Sequence, residues 1–166
     1  MSVSVAAYRG RVRTAAFAGF LAVAALSASG VAHAEGDPTR GGASETYTNP
    51  EQCADQSEEF RFRFYYNSNY GGAWVNIGHS LPDLARLEPG GSYPGTYPMG
   101  FCDKGNGAGQ NVANNAASAY NWYRGYCATV HYNSWYRGAT DQIFPNNGTN
   151  LSATYNNNKS ISFAAC

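Results

Sequence analysis

The side chains able to do chemistry are few. Beyond residue 34 the chain holds two histidines, His79 and His131, four cysteines, Cys53, Cys102, Cys127 and Cys166, and scattered acids. Neither histidine stands in a His-Glu-x-x-His spacing, which would put two zinc ligands and a base on one helical face. There is no Gly-x-Ser-x-Gly elbow and no phosphate-binding loop. Glycoside hydrolysis needs two carboxylates facing each other across a substrate, and no acidic pair stands out. His79 precedes a turn and is expected at the surface. The expectation is a protein that is not an enzyme and needs no cofactor.

The cysteines take their meaning from what precedes them. Arg9, Arg11 and Arg13 form a basic start, residues 15 to 26 are small and apolar, and Ala32-His33-Ala34 supplies a small-x-small cleavage pattern. Residues 1–34 therefore read as a secretory signal. The apolar run is shorter than the roughly 20 residues that a membrane span needs. Cleavage after Ala34 leaves 166 − 34 = 132 residues, enough for one domain. The expected location is secreted and extracellular, free of the membrane. In that oxidising setting an even number of cysteines reads as disulfides. The signal removes three arginines and no acid, so the balance of 11 basic and 11 acidic residues becomes 8 − 11 = −3. Such a surface does not suit a nucleic-acid partner. Residues 35–52 carry almost no aliphatic side chain and read as a flexible N-terminal tail.

A third group of residues offers oxygen. Asn114-Asn115-Ala116-Ala117-Ser118 and Asn156-Asn157-Asn158-Lys159-Ser160 share an Asn-Asn-x-x-Ser pattern. Amide and hydroxyl oxygens suit calcium. Lacking carboxylates, Asn114, Asn115, Ser118, Asn156, Asn157 and Ser160 would make only a weak site. Asn and Ser also stabilise turns by bonding nearby backbone.

The elements that position these residues form an internal repeat. Tyr65-Tyr66-Asn67-Ser68-Asn69-Tyr70-Gly71-Gly72 returns 66 residues later as His131-Tyr132-Asn133-Ser134-Trp135-Tyr136-Arg137-Gly138. Each copy follows a strand-like run and ends on glycine, which suggests positive φ or a close chain approach. The aromatic two residues earlier can fold back over the turn. His131 takes the place of Tyr65, a packing role. Phe60, Phe62 and Phe64 alternate with Arg61 and Arg63, the period of a half-buried strand. Trp74-Val75-Asn76-Ile77 is the returning strand. Ser80-Leu81-Pro82-Asp83 has a capping-box look, predicting a short helical turn over 84–87. Gln142-Ile143-Phe144 and Ile161-Ser162-Phe163 are further strands, and residues 145–148 form a turn.

The order hairpin, Asn-Asn-x-x-Ser, hairpin, Asn-Asn-x-x-Ser resembles the βγ-crystallin pattern of aromatic, four residues, aromatic, one residue, glycine. The phrases Tyr-Asn-Ser, Asn-Asn-Ala-Ala-Ser and Thr154-Tyr155-Asn156-Asn157-Asn158 are similar to one bacterial branch. That branch is the secreted peptidase inhibitor family typified by the Streptomyces metalloproteinase inhibitor. The resemblance covers about residues 53–166. It implies an all-β, disulfide-linked, βγ-crystallin-like sandwich of two Greek-key motifs, the first about 53–122 and the second about 123–166. It implies a monomer that docks a rigid loop in the cleft of an extracellular peptidase. A calcium-binding structural module and a toxin-like binding protein are the alternative roles on the same fold.

The cysteines allow three pairings; Cys53–Cys102 and Cys127–Cys166 keep each pair inside its own repeat. The second closes a loop of about 40 residues, worth roughly 3–4 kcal/mol in the chain-entropy model. The repeats are unequal. Between Gly72 and Asn114 lie 41 residues, between Gly138 and Asn156 only 17, a difference of 24. Most of the excess falls in 88–110, a stretch rich in Gly, Pro and Tyr that reads as a loop. Its Tyr93, Tyr97, Met99 and Phe101 are candidate protease contacts, as are Cys127 and Ala128 by analogy with the family's cysteine-containing reactive loop.

Overall fold

A computed structural model describes residues 36–39, 50–54, 59–87 and 95–166. Seven strands follow a 3₁₀ turn at Pro50–Cys53: β1 Phe62–Tyr65, β2 Trp74–Ile77, β3 Ser118–Asn121, β4 Tyr126–Asn133, β5 Arg137–Ile143, β6 Asn147–Asn150 and β7 Ser160–Ala165. They form two antiparallel sheets, one in the order β2-β1-β3-β6 and the other β5-β4-β7. Alternation decides the inner face of the first sheet. Phe60, Phe62 and Phe64 are fully buried, together with Val75, Ile77 and Ala119. The second sheet answers with Ala128, Val130, Ile143, Ile161 and Phe163, joined in one continuous core with the first.

The two halves exchange a strand. β6 belongs to the second half by sequence yet pairs with β3 of the first, from Ser118↔Asn150 to Asn121↔Asn147. In return Leu81 of the first half bridges Ile161 on β7, exchanging N–H···O bonds of 2.8 and 3.0 Å. Each half is thus an antiparallel Greek key completed by the other, and the fold is the βγ-crystallin-like sandwich that the sequence resemblance implies. The hairpins superpose in register: Phe62↔Ile77 and Tyr65↔Trp74 become Ala128↔Ile143 and His131↔Thr140, each shifted by 66.

One serine fastens each hairpin tip. Asn69, Tyr70 and Gly72 have positive φ, as do Trp135, Tyr136 and Gly138. The last position of each set is glycine because a Cβ at Gly72 would lie 2.8 Å from the Asn106 carbonyl, and one at Gly138 would lie 2.9 Å from the Asn133 amide. The non-glycine residues in left-handed geometry need an external restraint. Ser118 Oγ supplies it, accepting from Tyr70 N–H at 3.0 Å and donating to Asn67 C=O at 2.7 Å. Ser160 Oγ repeats this with Tyr136 N–H at 3.1 Å and Asn133 C=O at 2.7 Å. The tip aromatics fold back as expected, Tyr70 onto Tyr65 and Tyr136 onto His131.

The disulfides join Cys53 to Cys102 and Cys127 to Cys166, one in each half, as favoured from the repeat. Three local expectations change. Residues 84–87 do not form a helical turn: Asp83, not Ser80, caps a single turn through Ala85 N–H and Arg86 N–H. Ser80 Oγ instead lies against Pro38 C=O and accepts from Phe163 N–H. The stretch expected to be a free tail is anchored at its end, where Gln52 is buried beside Cys53.

The serine ties generate a prediction. Ser160→Ala leaves Tyr136 N–H without its acceptor in a strained turn. The expected cost is about 1–3 kcal/mol, read as a lower melting temperature; Ser118→Ala should cost a similar amount. Unchanged melting in both variants would show that the tips hold themselves.

Candidate functional site

The structure moves most of the sequence-predicted contact residues indoors. Met99, Phe101, Cys127 and Ala128 are all nearly or fully inaccessible. Cys127 and Ala128 lie near the start of β4, the central strand of its sheet, where burial withholds them from a peptidase cleft. Tyr97 is half-buried and exchanges two backbone bonds with Leu87. Tyr93 lies outside the described residues. The end of the long insertion is therefore not a presented loop. Met99 N–H bonds Leu84 C=O, Val112 N–H bonds Met99 C=O, and Phe101 N–H bonds Gln110 C=O, so residues 97–112 fold into a ribbon against the core. The apolar alternation of Tyr97, Met99 and Phe101 was a burial signal.

This ribbon covers the first hairpin. Ala73 N–H donates to Asn106 C=O at 2.7 Å and Cys102 N–H donates to Trp74 C=O at 3.0 Å. Phe101 meets the Tyr66 ring edge-on at 5.7 Å. The 3₁₀ turn completes the cover, with Ala54 C=O accepting from Asn76 Nδ2 at 2.8 Å and from Arg63 Nη2 at 3.3 Å. Arg63 is pinned there, its guanidinium 3.7 Å from the Trp74 ring centroid and its Nε bonded to Asn76 Oδ1. Burial pushes the neighbouring Tyr65 phenol above its ordinary pKa, with Arg63 opposing the shift.

No described segment covers the second hairpin in this way. Tyr132 occupies the place of Tyr66 but is 40% exposed, and Tyr136 is 41% exposed. Trp135 stands where the first copy has Asn69, and at 66% it is the most exposed large apolar side chain among the described residues. Its backbone is nevertheless fixed: φ is 61°, and Trp135 N–H donates to Pro82 C=O at 2.6 Å. Asn69 uses the same N–H on Asn150 Oδ1, with Asn150 Nδ2 returning to Asn69 Oδ1. Replacing that asparagine by tryptophan exchanges a local polar lock for a rigidly mounted aromatic. The signal was legible in the repeat as the Asn69/Trp135 mismatch; its exposure depends on where the insertion goes and was not.

The oxygen-rich motifs meet across the two halves. Asn114 N–H donates to Asn158 C=O at 2.8 Å, and Asn156 N–H donates to Ala116 C=O at 3.0 Å. Asn114 and Asn156 both adopt positive φ. Asn158, absent from the sequence-based set, is fully buried; its Oδ1 accepts from Ala116 N–H and its Nδ2 donates to Val112 C=O, both at 3.1 Å. The hydroxyls of Ser118 and Ser160 are engaged with the hairpins. Asn115 and Asn157 each turn Nδ2 to a carbonyl of their own loop. Among the described residues no three His, Cys, Asp or Glu side chains cluster as a metal site. Asp141 caps a turn, accepting from Ser152, Ala153 and Thr154 backbone N–H groups and the Thr154 hydroxyl.

His79, expected at the surface, is buried. His131 is buried too. Its Nε2 lies 2.9 Å from Ser162 Oγ and its Nδ1 has no hydrogen-bond partner among the described residues.

No model of a known protein family matches this chain, and no curated protein matches it. Solved structures of similar arrangement are βγ-crystallin domains. One, described under the evolution of the eye-lens βγ-crystallin domain fold, has 10% identity and a TM-score of 0.46, covering 65% of this chain and 88% of its own. A βγ-crystallin domain from Flavobacterium johnsoniae has 20% identity and a TM-score of 0.42, covering 63% and 93%. The N-terminal domain of Protein S has 18% identity and a TM-score of 0.41, covering 63% and 96%.

The burial of His131 generates a pH prediction. Desolvation holds its pKa below the ordinary 6.5. A base harder to protonate when folded favours unfolding as protons are added. Its contribution is intact above about pH 6.5 and is lost as pH falls below that. His131→Tyr, which copies the first repeat, should flatten the difference in melting temperature between pH 7.5 and pH 5. An undiminished difference would assign the acid sensitivity to other groups.

Proposed function

We propose that this protein is a secreted inhibitor of an extracellular peptidase, acting as a binding module and not as an enzyme. One observation carries the reading: an exposed aromatic hairpin, Tyr132 to Arg137, mounted on a hydrogen-bonded and disulfide-closed scaffold. The backbone at Trp135 and Tyr136 is held by Pro82 C=O and Ser160 Oγ. The strands beneath are closed by the Cys127–Cys166 disulfide. Little conformational entropy remains to be lost on docking. Tryptophan and tyrosine are the residue types that anchor tight interfaces. The two disulfides suit the oxidising space outside the cell that an export signal implies. A metalloproteinase is the target class suggested by the sequence resemblance, and its contact surface is taken here to be the second hairpin, not the long insertion.

The test is a titration of residues 35–166 against a thermolysin-like metalloproteinase and a subtilisin-like serine protease. Stoichiometric inhibition of the metalloproteinase is expected. Trp135→Ala should weaken it by about 2 kcal/mol, roughly thirtyfold. Folded, oxidised protein that inhibits neither enzyme would end this reading.

A second reading, weak calcium binding, is favoured by one observation. Asn115 and Asn157 occupy matching places and spend only their amide nitrogens on their own loops, which leaves each Oδ1 free to ligate. Without a carboxylate the expected affinity is in the roughly 10⁻⁴–10⁻³ M range of extracellular modules. Calorimetry with calcium should give heat that vanishes in the double variant Asn115→Ala, Asn157→Ala. No heat at millimolar calcium, and no rise in melting temperature, would remove the site.

A further inference from the structure

The first hairpin shows what the second hairpin lacks. In the first half the outer edge of β2 is covered within the chain: Asn106 C=O takes Ala73 N–H, and Cys102 N–H takes Trp74 C=O. Gly107 lies flat on the Tyr66 ring, so close that a Cβ there would sit 2.1 Å from the ring. Under this cover β2 is half-buried at Trp74 and buried from Val75 to Ile77. Moved by the 66-residue register of the repeat, Ala73, Trp74 and Tyr66 become Ala139, Thr140 and Tyr132. There β5 is the edge of its sheet. Arg137 to Thr140 and Gln142 are exposed. No described segment other than β4 hydrogen-bonds the β5 backbone.

We infer that the outer edge of β5, with the Tyr132 ring beside it, is a docking site for an extended polypeptide segment of a partner protein that places a glycine over Tyr132. The chemistry of the occupant follows from the cover in the first half. Its N–H bonds Thr140 C=O as Cys102 bonds Trp74, and its C=O faces Ala139 N–H as Asn106 faces Ala73. A larger residue cannot sit on the ring at the distance Gly107 uses. An aromatic or large apolar side chain six positions before that glycine, the counterpart of Phe101, meets the Tyr132 ring edge. Main-chain pairing to a free strand edge supplies affinity, and the glycine-over-tyrosine contact supplies selectivity. Natural sheets blunt or cover such edges; among the described residues this is so for β2 and not for β5. The inference goes beyond the inhibitor reading and stands whether or not the partner is a peptidase.

The chain contains its own probe. A synthetic peptide of residues 100–110 carrying Cys102→Ser reproduces the cover and can be titrated into isotope-labelled protein, residues 35–166. Saturating amide shifts are expected at Ala139, Thr140 and Gln142, with ring shifts at Tyr132 and none on β2, whose cover is tethered by Cys53–Cys102. The same peptide carrying Gly107→Ala should bind at least tenfold more weakly, as should Tyr132→Ala protein with the native peptide. The peptide variant leaves the protein untouched, so the test survives if Tyr132→Ala fails to fold. Absence of shifts on β5 at millimolar peptide, or equal binding of both peptides, would overturn the inference. So would a concentration-dependent dimer, seen by sedimentation and paired through β5, which would assign the edge to a second copy of this chain. None of these readouts involves protease activity.

Discussion

The structure depends on one buried amide. Asn158 lies at the junction of the two halves with no access to solvent, and its side chain closes two hydrogen bonds to the opposite loop while its carbonyl accepts a third from Asn114. A buried amide of this kind is costly unless satisfied, and once satisfied it fixes geometry. Here it fixes the loop at 112–118 against the loop at 154–160. Each loop then delivers a serine, Ser118 or Ser160, to a hairpin tip held in left-handed geometry. The tips in turn set the register of β1–β2 and β4–β5. Loss of the central amide would therefore loosen both hairpins together, although it touches neither.

Symmetry at the centre makes the asymmetry at the edges informative. The same hairpin occurs twice with the same signs of φ and an equivalent serine, yet among the described residues one outer edge is closed and the other open. The difference lies outside the hairpins, in the longer first key and in the turn that Cys53 ties to it. Cys53–Cys102 joins the two pieces of cover over β2. Cys127–Cys166 joins the central strand of the other sheet to the end of β7, on the side away from β5. Neither cross-link reaches the outer edge of β5; Cys127–Cys166 ties together the two strands behind it.

The fold was legible because the repeat was. Matching hairpins and matching Asn-Asn-x-x-Ser stretches specify two similar keys, and the Phe60, Phe62, Phe64 alternation specifies which face of β1 is inside. The pairing of the cysteines followed from keeping each cross-link within a key. The location of the proposed contact surface was not legible. Tyr97, Met99 and Phe101 look like an aromatic loop in one dimension, and only the fold shows them packed against the first hairpin. Asn158 looked like a spacer between Asn157 and Ser160, because its value lies in loops that are distant in sequence. His79 precedes a turn, and a turn near the core buries what a turn at the rim exposes.

The same reasoning bears on why a tryptophan is tolerated at position 135. A large aromatic exposed to water gains nothing from burial in the monomer, and its side chain stabilises no described neighbour. Asn69 at the matching site stabilises the fold through two bonds with Asn150. At position 135 the chain gives up that pair and keeps the backbone bond to Pro82, so the tip remains ordered while the side chain is left without an intramolecular role. An ordered backbone beneath an exposed tryptophan, next to a strand edge that no described segment pairs, places the apolar and the main-chain halves of the proposed binding surface side by side. The cover on the first hairpin shows, within this molecule, how such an edge is closed when a glycine-bearing segment lies across it.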